Sequence, residues 1–290
     1  MTGVRWILMP LLTSAACVAQ AGWIDEAELE LRFDDNLPRG QLKRDIKSDM
    51  AVAIAAEGGR GYQLTENGRL TLTMTLSATG YRQYSGLDHV DAGVGLAYRH
   101  KFGLGPLAPE ARASVSATRL EYRDDGRDGW LYSAQLGIGK RITERLGLTA
   151  TYEFERRKSD DVADRLLPTV AADVYDLTSR NFTLGGDYTL SSDYVLSAAY
   201  TLRDGDIVST TLRNLPIFLA SSAIAEDRVF GRNRYAYKMK ATTRGASLGV
   251  SRVINDHSSL TLGYEYIDSR AEGGIDYQAN IVRAIYLHQF

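Results

Sequence analysis

Leu70–Thr79 reads Leu-Thr-Leu-Thr-Met-Thr-Leu-Ser-Ala-Thr. Apolar side chains occupy every second position, and hydroxyl side chains fill all the positions between them. Successive side chains of a β-strand point to opposite faces, so this alternation predicts a strand with one apolar and one polar face. A helix would place its apolar residues three and four positions apart instead. The segment therefore predicts β structure at this point of the chain.

The same alternation recurs over most of the chain. Every proline after residue 21 falls between two predicted strands, where its missing N–H removes no ladder hydrogen bond. Segment 232–253 changes parity between Met239 and Leu248, which predicts a β-bulge near Gly245. The twelve predicted strands lie near residues 24–34, 48–63, 69–84, 88–104, 110–123, 130–143, 146–157, 177–191, 193–204, 232–253, 258–269 and 276–290.

The length of these strands separates two kinds of all-β protein. Strands of soluble proteins average about five or six residues, whereas most of these exceed the roughly nine to eleven needed to cross a bilayer at a tilt. Tight turns alternate with longer connections, of which the longest are 158–176 and 205–231. One edge of tight turns and one of long loops is typical of a transmembrane antiparallel up-and-down β-barrel. A soluble sandwich or barrel is the alternative.

Aromatic side chains cluster toward both ends of the predicted strands. The chain has 17 Tyr against 7 Phe and 3 Trp, and two girdles of such rings around an aliphatic band are typical of membrane barrels. The girdle predicted at the loop end contains Tyr84, Tyr122, Trp130, Tyr132, Tyr235, Tyr237, Tyr266 and Tyr277. The girdle predicted at the turn end contains Trp23, Tyr98, Phe102, Tyr188, Tyr194 and Tyr286.

The last predicted strand carries a second signal. Val282–Phe290 alternates along its length and ends in an aromatic residue. With Tyr286 and Phe290 in the recognised positions, it resembles the C-terminal sorting signal of Gram-negative outer-membrane β-barrel proteins, a porin-like class. The resemblance implies multi-pass outer-membrane localisation, recognition of this strand by the barrel-insertion machinery, and contact with outer-membrane lipid and lipopolysaccharide. It identifies the class without a subfamily and implies no particular activity.

The first residues predict a cleavable signal peptide. Arg5 precedes an apolar run over residues 6–12 that is too short to anchor in a bilayer. Ala19-Gln20-Ala21 supplies the small-x-small pattern of a cleavage site. The predicted domains are therefore a signal peptide over 1–21 and an outer-membrane β-barrel over 22–290.

The polar faces of the strands are expected to line the barrel interior. Many of these positions are small and cannot fill a twelve-stranded cylinder, so water or an inserted segment is expected inside. Charges in such a space focus their field on passing solutes. They are interpreted as a selectivity lining, as an internal ion-pair network in which Arg283 meets the glutamates of the first strand, or as both. The predicted lumen-lining charges are Glu26, Glu28, Glu30, Arg32, Asp91, Arg99, Lys101, Glu153, Glu155, Arg234, Lys238, Lys240 and Arg283.

Two long loops are unusually apolar. One contains Leu166–Ala172 and the other contains Leu215–Ile224. Long loops often act as lids or constrictions, which suggests the hypothesis that the 205–231 loop folds into the barrel mouth and narrows it. The alternative is a short helix that rests on the rim or on lipid headgroups.

Patterns for catalysis and metal binding are sparse. His89 falls at the predicted outer rim near Ser85 and Asp91, which leaves a hydrolase site as an alternative. Asp124–Gly129 resembles a calcium loop, but Gly126 occupies a ligand position, so the segment is interpreted as a solvated hairpin tip. No cofactor is expected, because no metal cluster, phosphate-binding glycine loop or nucleotide fingerprint occurs. A net charge of −2 gives no basic surplus for nucleic-acid binding.

These features predict a passive channel or binding pore for small polar solutes rather than an enzyme. Two alternatives remain open. One is a non-conducting barrel that acts as an anchor or partner of an export or surface-assembly system. The other is a hydrolase at the extracellular rim.

Overall fold

The structure, a computed structural model, describes residues 24–161 and 170–290. The predicted signal peptide, with Cys17, and Trp23 lie outside the described residues, as does most of the apolar stretch predicted in the 158–176 loop. The strands are β1 (Glu26–Asp34), β2 (Asp49–Thr65), β3 (Gly68–Tyr81), β4 (His89–Lys101), β5 (Glu110–Tyr122), β6 (Gly129–Arg141), β7 (Leu146–Ser159), β8 (Leu177–Thr189), β9 (Tyr194–Leu212), β10 (Ala223–Glu226), β11 (Arg234–Asn255), β12 (Ser258–Ala271) and β13 (Ile275–Gln289), with one short helix, α1 (Leu215–Ala220).

Twelve of these strands close into one antiparallel barrel. Each of the twelve pairs with the strands before and after it in the ring, β1 pairs with β13, and β9 pairs directly with β11. β10 lies outside the ring and adds to the upper part of β11. The predicted fold class is therefore confirmed. No helix among the described residues is long and apolar enough to cross a membrane.

The outer face of the barrel is apolar and the inner face is polar. On β3, Leu72, Met74 and Leu76 are exposed on the outside, while the threonines between them face the interior. On β1 the exposed side chains are Leu29, Leu31 and Phe33. An exposed belt of this kind is stable only against lipid, because water would leave too much apolar surface solvated. The belt marks the membrane-spanning part of the barrel.

The two ends of the barrel differ as the sequence predicts. Tight turns, such as the one between Thr65 and Gly68, join strands at the end where the first and last strands also begin and finish. We call this the turn end, and the opposite end is the loop end. In outer-membrane barrels the turns lie in the periplasm and the long loops are extracellular.

Strand β9 is much longer than predicted. The sequence pattern ends at residue 204, but the strand continues to Leu212 and pairs there with β11, up to Arg234. The chain then forms α1 and β10 before it enters β11. We call residues 205–240 the lid, because the contacts described below place this segment over the mouth of the barrel. Its base is fixed by Gly205, where a Cβ atom would lie 2.4 Å from the carbonyl oxygen of Thr178.

The predicted bulge near Gly245 is wrong. The β9–β11 register runs without a break from Arg234 to Arg252, and the irregularity of β11 lies between Val253 and Asn255 instead. The apolar parity changes because the surroundings change. Leu248 faces lipid on the outside, whereas Met239 lies on the opposite face and is buried in the apolar cluster around Ile217 of α1.

The same inversion explains three tyrosines of the predicted loop-end girdle. Tyr235, Tyr237 and Tyr277 are buried in the apolar cluster around Ile217 of α1 and do not face lipid. Trp130 and Tyr132 of that girdle are exposed on the outer face. In sequence, these buried tyrosines therefore look like the aromatic girdle of a membrane interface, although they lie inside the barrel.

Candidate solute pathway

Small side chains leave space inside the barrel. Glycine or alanine occupies the inner positions 93, 95 and 97 of β4, and glycine occupies 137 and 139 of β6. Threonine and serine fill many of the remaining inner positions, as on β3. The lumen face is therefore polar, and its side chains are too short to fill the interior. This favours a water-filled space over a packed core.

Charged residues form a paired cluster where the barrel closes. Arg283 on β13 lies between Glu265 on β12, at 2.8 Å, and Glu30 on β1, at 3.6 Å. Arg32 lies 4.0 Å from Glu30 and donates a hydrogen bond to the Tyr81 hydroxyl at 3.0 Å. The guanidinium on the middle strand reaches both carboxylates, so these charges neutralise one another. The contact of Arg283 with a first-strand glutamate is the one that the sequence suggested.

A second charged wall is built differently. On adjacent strands, Asn181 of β8 is paired in register with Glu153 of β7 on one side and with Arg203 of β9 on the other. The Asn181 amide donates to Glu153 at 3.2 Å and to Glu155 at 3.1 Å. Ser179 also donates to Glu155 at 3.1 Å. Here an amide, rather than a cation, occupies the middle strand.

His89 and Asp91 lie on the inner face near the loop end. The His89 Nδ1 atom is 2.7 Å from the Leu87 carbonyl oxygen, and its Nε2 atom is 3.8 Å from Asp91. Asp91 also accepts a hydrogen bond from Ser77. In the described chain no serine hydroxyl contacts His89, so the nucleophile–base pair of a hydrolase is not assembled here.

The turn end carries further charges of the predicted lining. Arg99 lies 3.9 Å from Glu110, which also pairs with Arg112. Arg99 and Lys101 share one face of β4 with Asp91, and Glu26 and Glu28 share one face of β1 with Glu30. That these side chains line a solute path stays a prediction.

Three of the predicted lining residues lie elsewhere. Lys240 is on the same face of β11 as the exposed Leu248, and it pairs with Asp206 at 2.9 Å. Lys238, on that same face, contacts Asp173 at 3.2 Å. Arg234 lies in the lid and pairs with Asp45 of the first loop at 3.0 Å. The sequence placed these residues on the inner face because it assumed that the tyrosines of β11 face lipid, whereas Tyr235 and Tyr237 pack in the apolar cluster around Ile217 of α1.

The lid reaches across the mouth of the barrel. β9 and β11, which carry it, lie across the ring from the β3–β4 connection. Phe230, near the tip of the lid, packs there against Leu87 and against Leu37 of the first loop, and its ring lies 5.0 Å from the Tyr84 ring. The backbone of Thr210 donates to the Pro38 carbonyl. The lid therefore contacts the opposite wall of its own barrel.

A buried ion pair fixes the lid at a second place. Asp227 in the lid lies 2.8 Å from Arg127 of the β5–β6 loop, and both side chains are almost fully buried. Asp227 also accepts from Thr210 at 2.6 Å, and the Arg127 guanidinium lies 4.5 Å from the centre of the Tyr175 ring. Burial by itself would lower the pKa of Arg127, but Asp227 raises it overall. The predicted solvated tip at 124–129 thus contains a buried cation.

An apolar layer fills the space between the lid helix and the inner face of the strands. Ile217 of α1 is buried against residues of β9, β11, β12 and β13. Asn214 caps the helix by accepting from the Ile217 backbone N–H. The members of this cluster are Ile207, Ile217, Ile224, Tyr235, Tyr237, Met239, Ala241, Ala271, Ile275 and Tyr277. The hypothesis of a loop over the mouth thus matches these contacts, while the narrowing of a pore stays a proposal.

The C-terminal strand is held at the turn end. The Tyr286 hydroxyl donates to Ser258 at 3.0 Å, and the Phe290 backbone N–H donates to the Asp25 carbonyl. Both aromatic side chains are exposed on the outer face. Their role as a sorting signal stays a prediction.

Sequence reasoning missed several lumen residues. Glu265, Asn181 and Arg203 all occupy the polar parity of predicted strands, so the alternation that identified Glu153 also contained them. Arg127 gave no such signal. It lies in a loop, and its importance depends on a partner one hundred residues away in sequence.

Comparisons with known proteins bear on the fold. No protein-family model and no curated protein matches the chain. An outer-membrane channel from Pseudomonas putida F1 is similar in structure, with a TM-score of 0.58 and 12% identity over 94% of this chain and 100% of that chain. The NanC porin is similar with a TM-score of 0.50 and 11% identity, over 90% of this chain and 100% of that chain. The chain thus has the fold of the porin-like, twelve-stranded outer-membrane β-barrels.

Proposed function

We propose that this barrel is a passive channel or binding pore for small polar solutes and that the lid controls its extracellular mouth. The main evidence is the contrast between a polar lumen lined by small residues and the apolar lid that covers it. A barrel that only anchored itself in the membrane would gain stability from a packed apolar interior. The two similar proteins named above as a channel and a porin support the same function.

The electrostatics of the lumen favour polar solutes. Carboxylates and guanidinium groups face the interior on β1, β7, β9, β12 and β13. In a confined space with low-dielectric walls, these charges act strongly on a passing solute. Apolar solutes would meet no matching surface below the lid.

Planar-bilayer recording tests the proposal. Deletion of residues 213–224 removes α1, so we expect a higher single-channel conductance than in the wild type. Ile217→Asp should act in the same direction, because it places a charge in the apolar layer. Leu219→Asp is the matched control, since Leu219 lies on the same helix but is exposed. Equal conductance for wild type and deletion would overturn the role of the lid.

The second candidate is a non-conducting barrel that anchors or assists another component. Phe230 contacts the β3–β4 connection and Asp227 contacts the β5–β6 loop, so the lid covers the mouth, which favours this candidate. This candidate predicts no conductance even after deletion of 213–224, together with a partner that co-purifies through the lid surface. A hydrolase would require activity on lipids or esters that His89→Ala abolishes.

Two partners follow from the fold as proposals. The exposed apolar belt contacts membrane lipid, and the exposed loop end would meet lipopolysaccharide in the outer leaflet. The last strand, β13, would be read by the barrel-insertion machinery through Tyr286 and Phe290. Impaired insertion of a Phe290→Ala variant, with normal secretion to the periplasm, would support this role.

A further inference from the structure

The two charged walls of the lumen differ in whether their charges are paired. At the closure of the barrel, Arg283 forms ion pairs with Glu265 and Glu30. On the wall of β7, β8 and β9, neither Glu153 nor Glu155 forms an ion pair with any described residue. Arg203, on the same wall, forms none either; its side chain donates only to the backbone carbonyl of Asp206, at 2.9 Å. The second wall therefore holds both signs of charge and pairs neither.

The register explains why these groups do not meet. Asn181 stands between Glu153 and Arg203, so the two charges are two strands apart. Two strand spacings place the two backbones roughly 10 Å apart, and the two side chains form no ion pair across that distance. Glu153 and Glu155 share one face of β7 and lie roughly 7 Å apart along the strand. Arg157 follows on the same face of β7, but its guanidinium donates to the Arg127 carbonyl and forms no ion pair with Glu155.

Buried atoms without partners point to a missing ligand. Asn181 is 3% exposed and its Oδ1 atom accepts no hydrogen bond in the described structure. Arg203 is 7% exposed and its Nε atom likewise has no partner there. Buried polar groups are normally hydrogen-bonded, because an unpaired one keeps the full cost of its lost hydration. A donor and an acceptor thus remain open beside two unpaired carboxylates.

We propose that this wall is a binding subsite for a small zwitterionic solute that carries an ammonium and a carboxylate group. The ammonium group binds Glu153 and Glu155, and the Asn181 Oδ1 atom accepts one of its protons. The carboxylate binds Arg203. An α-amino acid carries both groups in one small molecule, so a charge-assisted hydrogen bond at each end would connect the carboxylates of β7 with the guanidinium of β9.

The position of the subsite fits a solute that enters past the lid. The β8–β9 ladder ends at Ser179 and Gly205, and Gly205 is the base of the lid. Asn181 and Arg203 form the next inward-facing pair below it. The subsite rests on the proposed function, because it needs a lumen that admits solutes.

Saturation-transfer NMR on the folded barrel in detergent tests the subsite without requiring conductance. The probes are L-alanine, its two halves propionate and ethylammonium, and glucose as a neutral solute. Because the two ends of alanine bind together, we expect a Kd at least about tenfold lower for alanine than for either half. Glucose should give no signal that depends on this wall.

Isosteric variants identify the residues. Glu153→Gln with Glu155→Gln should weaken alanine and ethylammonium binding about tenfold or more, and Arg203→Gln should weaken alanine and propionate binding. Glu110→Gln is the control, because Glu110 is a lumen carboxylate that already has arginine partners. Heat-modifiable gel mobility verifies that each variant is folded.

Each outcome has one meaning. No alanine binding by a wild type that conducts ions overturns the subsite and leaves the channel intact. Ethylammonium binding as tight as alanine binding overturns the zwitterion assignment. Alanine binding that is lost in the wall variants supports the subsite. If alanine binds but the lid-deleted barrel still does not conduct, the channel is overturned and the subsite is not.

Discussion

The two halves of β11 carry their apolar side chains on opposite faces. We call the half near the turn end the lower half and the half near the loop end the upper half. In the lower half, Leu248 and Val250 face outward and are exposed, while Ser247 and Gly249 face the lumen. In the upper half, Lys240 faces outward and Met239 is fully buried inside. The register does not shift between the halves. The surroundings alone reverse, from lipid outside and polar lumen inside to the ion-paired Lys238 and Lys240 outside and the apolar cluster around Ile217 inside.

The comparison shows that apolar parity reports the surroundings of a strand and not its side of the barrel. Lipid and the lid are both apolar, so the same residue types can pack against either one. A single strand can therefore serve a membrane belt and an internal core in succession.

The largest effect is expected at the buried ion pair of the upper region. Arg127→Ala leaves Asp227 buried without its cation, which costs about 3–5 kcal/mol for a buried pair broken on one side. The lid should detach from the β5–β6 loop, and backbone amide exchange of residues 205–240 should become faster. Arg228→Ala is the control, because the Arg228–Glu226 pair lies within the lid and is exposed. Unchanged exchange in Arg127→Ala would mean that the pair does not hold the lid.

The next effect concerns the lipid face of the lower region. Leu248→Arg should destabilise the barrel in lipid vesicles by about 2–4 kcal/mol if Leu248 lies near the centre of the bilayer. Thr242→Arg, on the same face but nearer the lid, should cost about 0–1 kcal/mol. Urea-induced unfolding in vesicles measures both. Equal costs at the two positions would contradict the placement of the boundary between them.

The smallest effect concerns acid stability beside the lid. Burial alone would raise the pKa of Asp176, but hydrogen bonds from Lys158 and Ser159 lower it overall. Because the folded pKa is below the unfolded one, Asp176 contributes stability above the unfolded pKa and loses it as pH falls through the folded pKa. Asp176→Asn should therefore reduce local stability at neutral pH and flatten its decline in acid. Amide exchange of Ser159 measured against pH provides the readout.

The membrane-spanning fold could be predicted from sequence because its rule is local. Each strand from β1 to β8 alternates against lipid, so its type follows from its own residues, as Leu70–Thr79 illustrates. The strand ends agree with the structure to within a few residues, except at β9. There the pattern ceases to alternate between lipid and lumen, because Ile207 and Val208 are both buried against parts of the upper region.

The candidate site could be predicted only in part. The inner parity of β7 identified Glu153 and Glu155, but whether a charge is paired depends on which residue occupies the next strand. Arg283 and Asn181 hold equivalent middle positions, and the sequence does not show that one neutralises its neighbours and the other separates them. The contacts of the lid were likewise hidden, because Phe230 and Leu87 meet only after the barrel closes.

Reversible crosslinking of the lid tests the central claim most directly. A Cβ atom on Gly86 would lie 3.5 Å from the Cβ atom of Val229, within the range of about 3.5–4.5 Å that a disulfide requires. Gly86→Cys combined with Val229→Cys should therefore form a disulfide that links the tip of the lid to the opposite wall. Each single variant is a control. We expect low single-channel conductance in the oxidised double variant and wild-type conductance after reduction. Identical conductance in the oxidised and reduced states would contradict a lid that controls the mouth of the barrel.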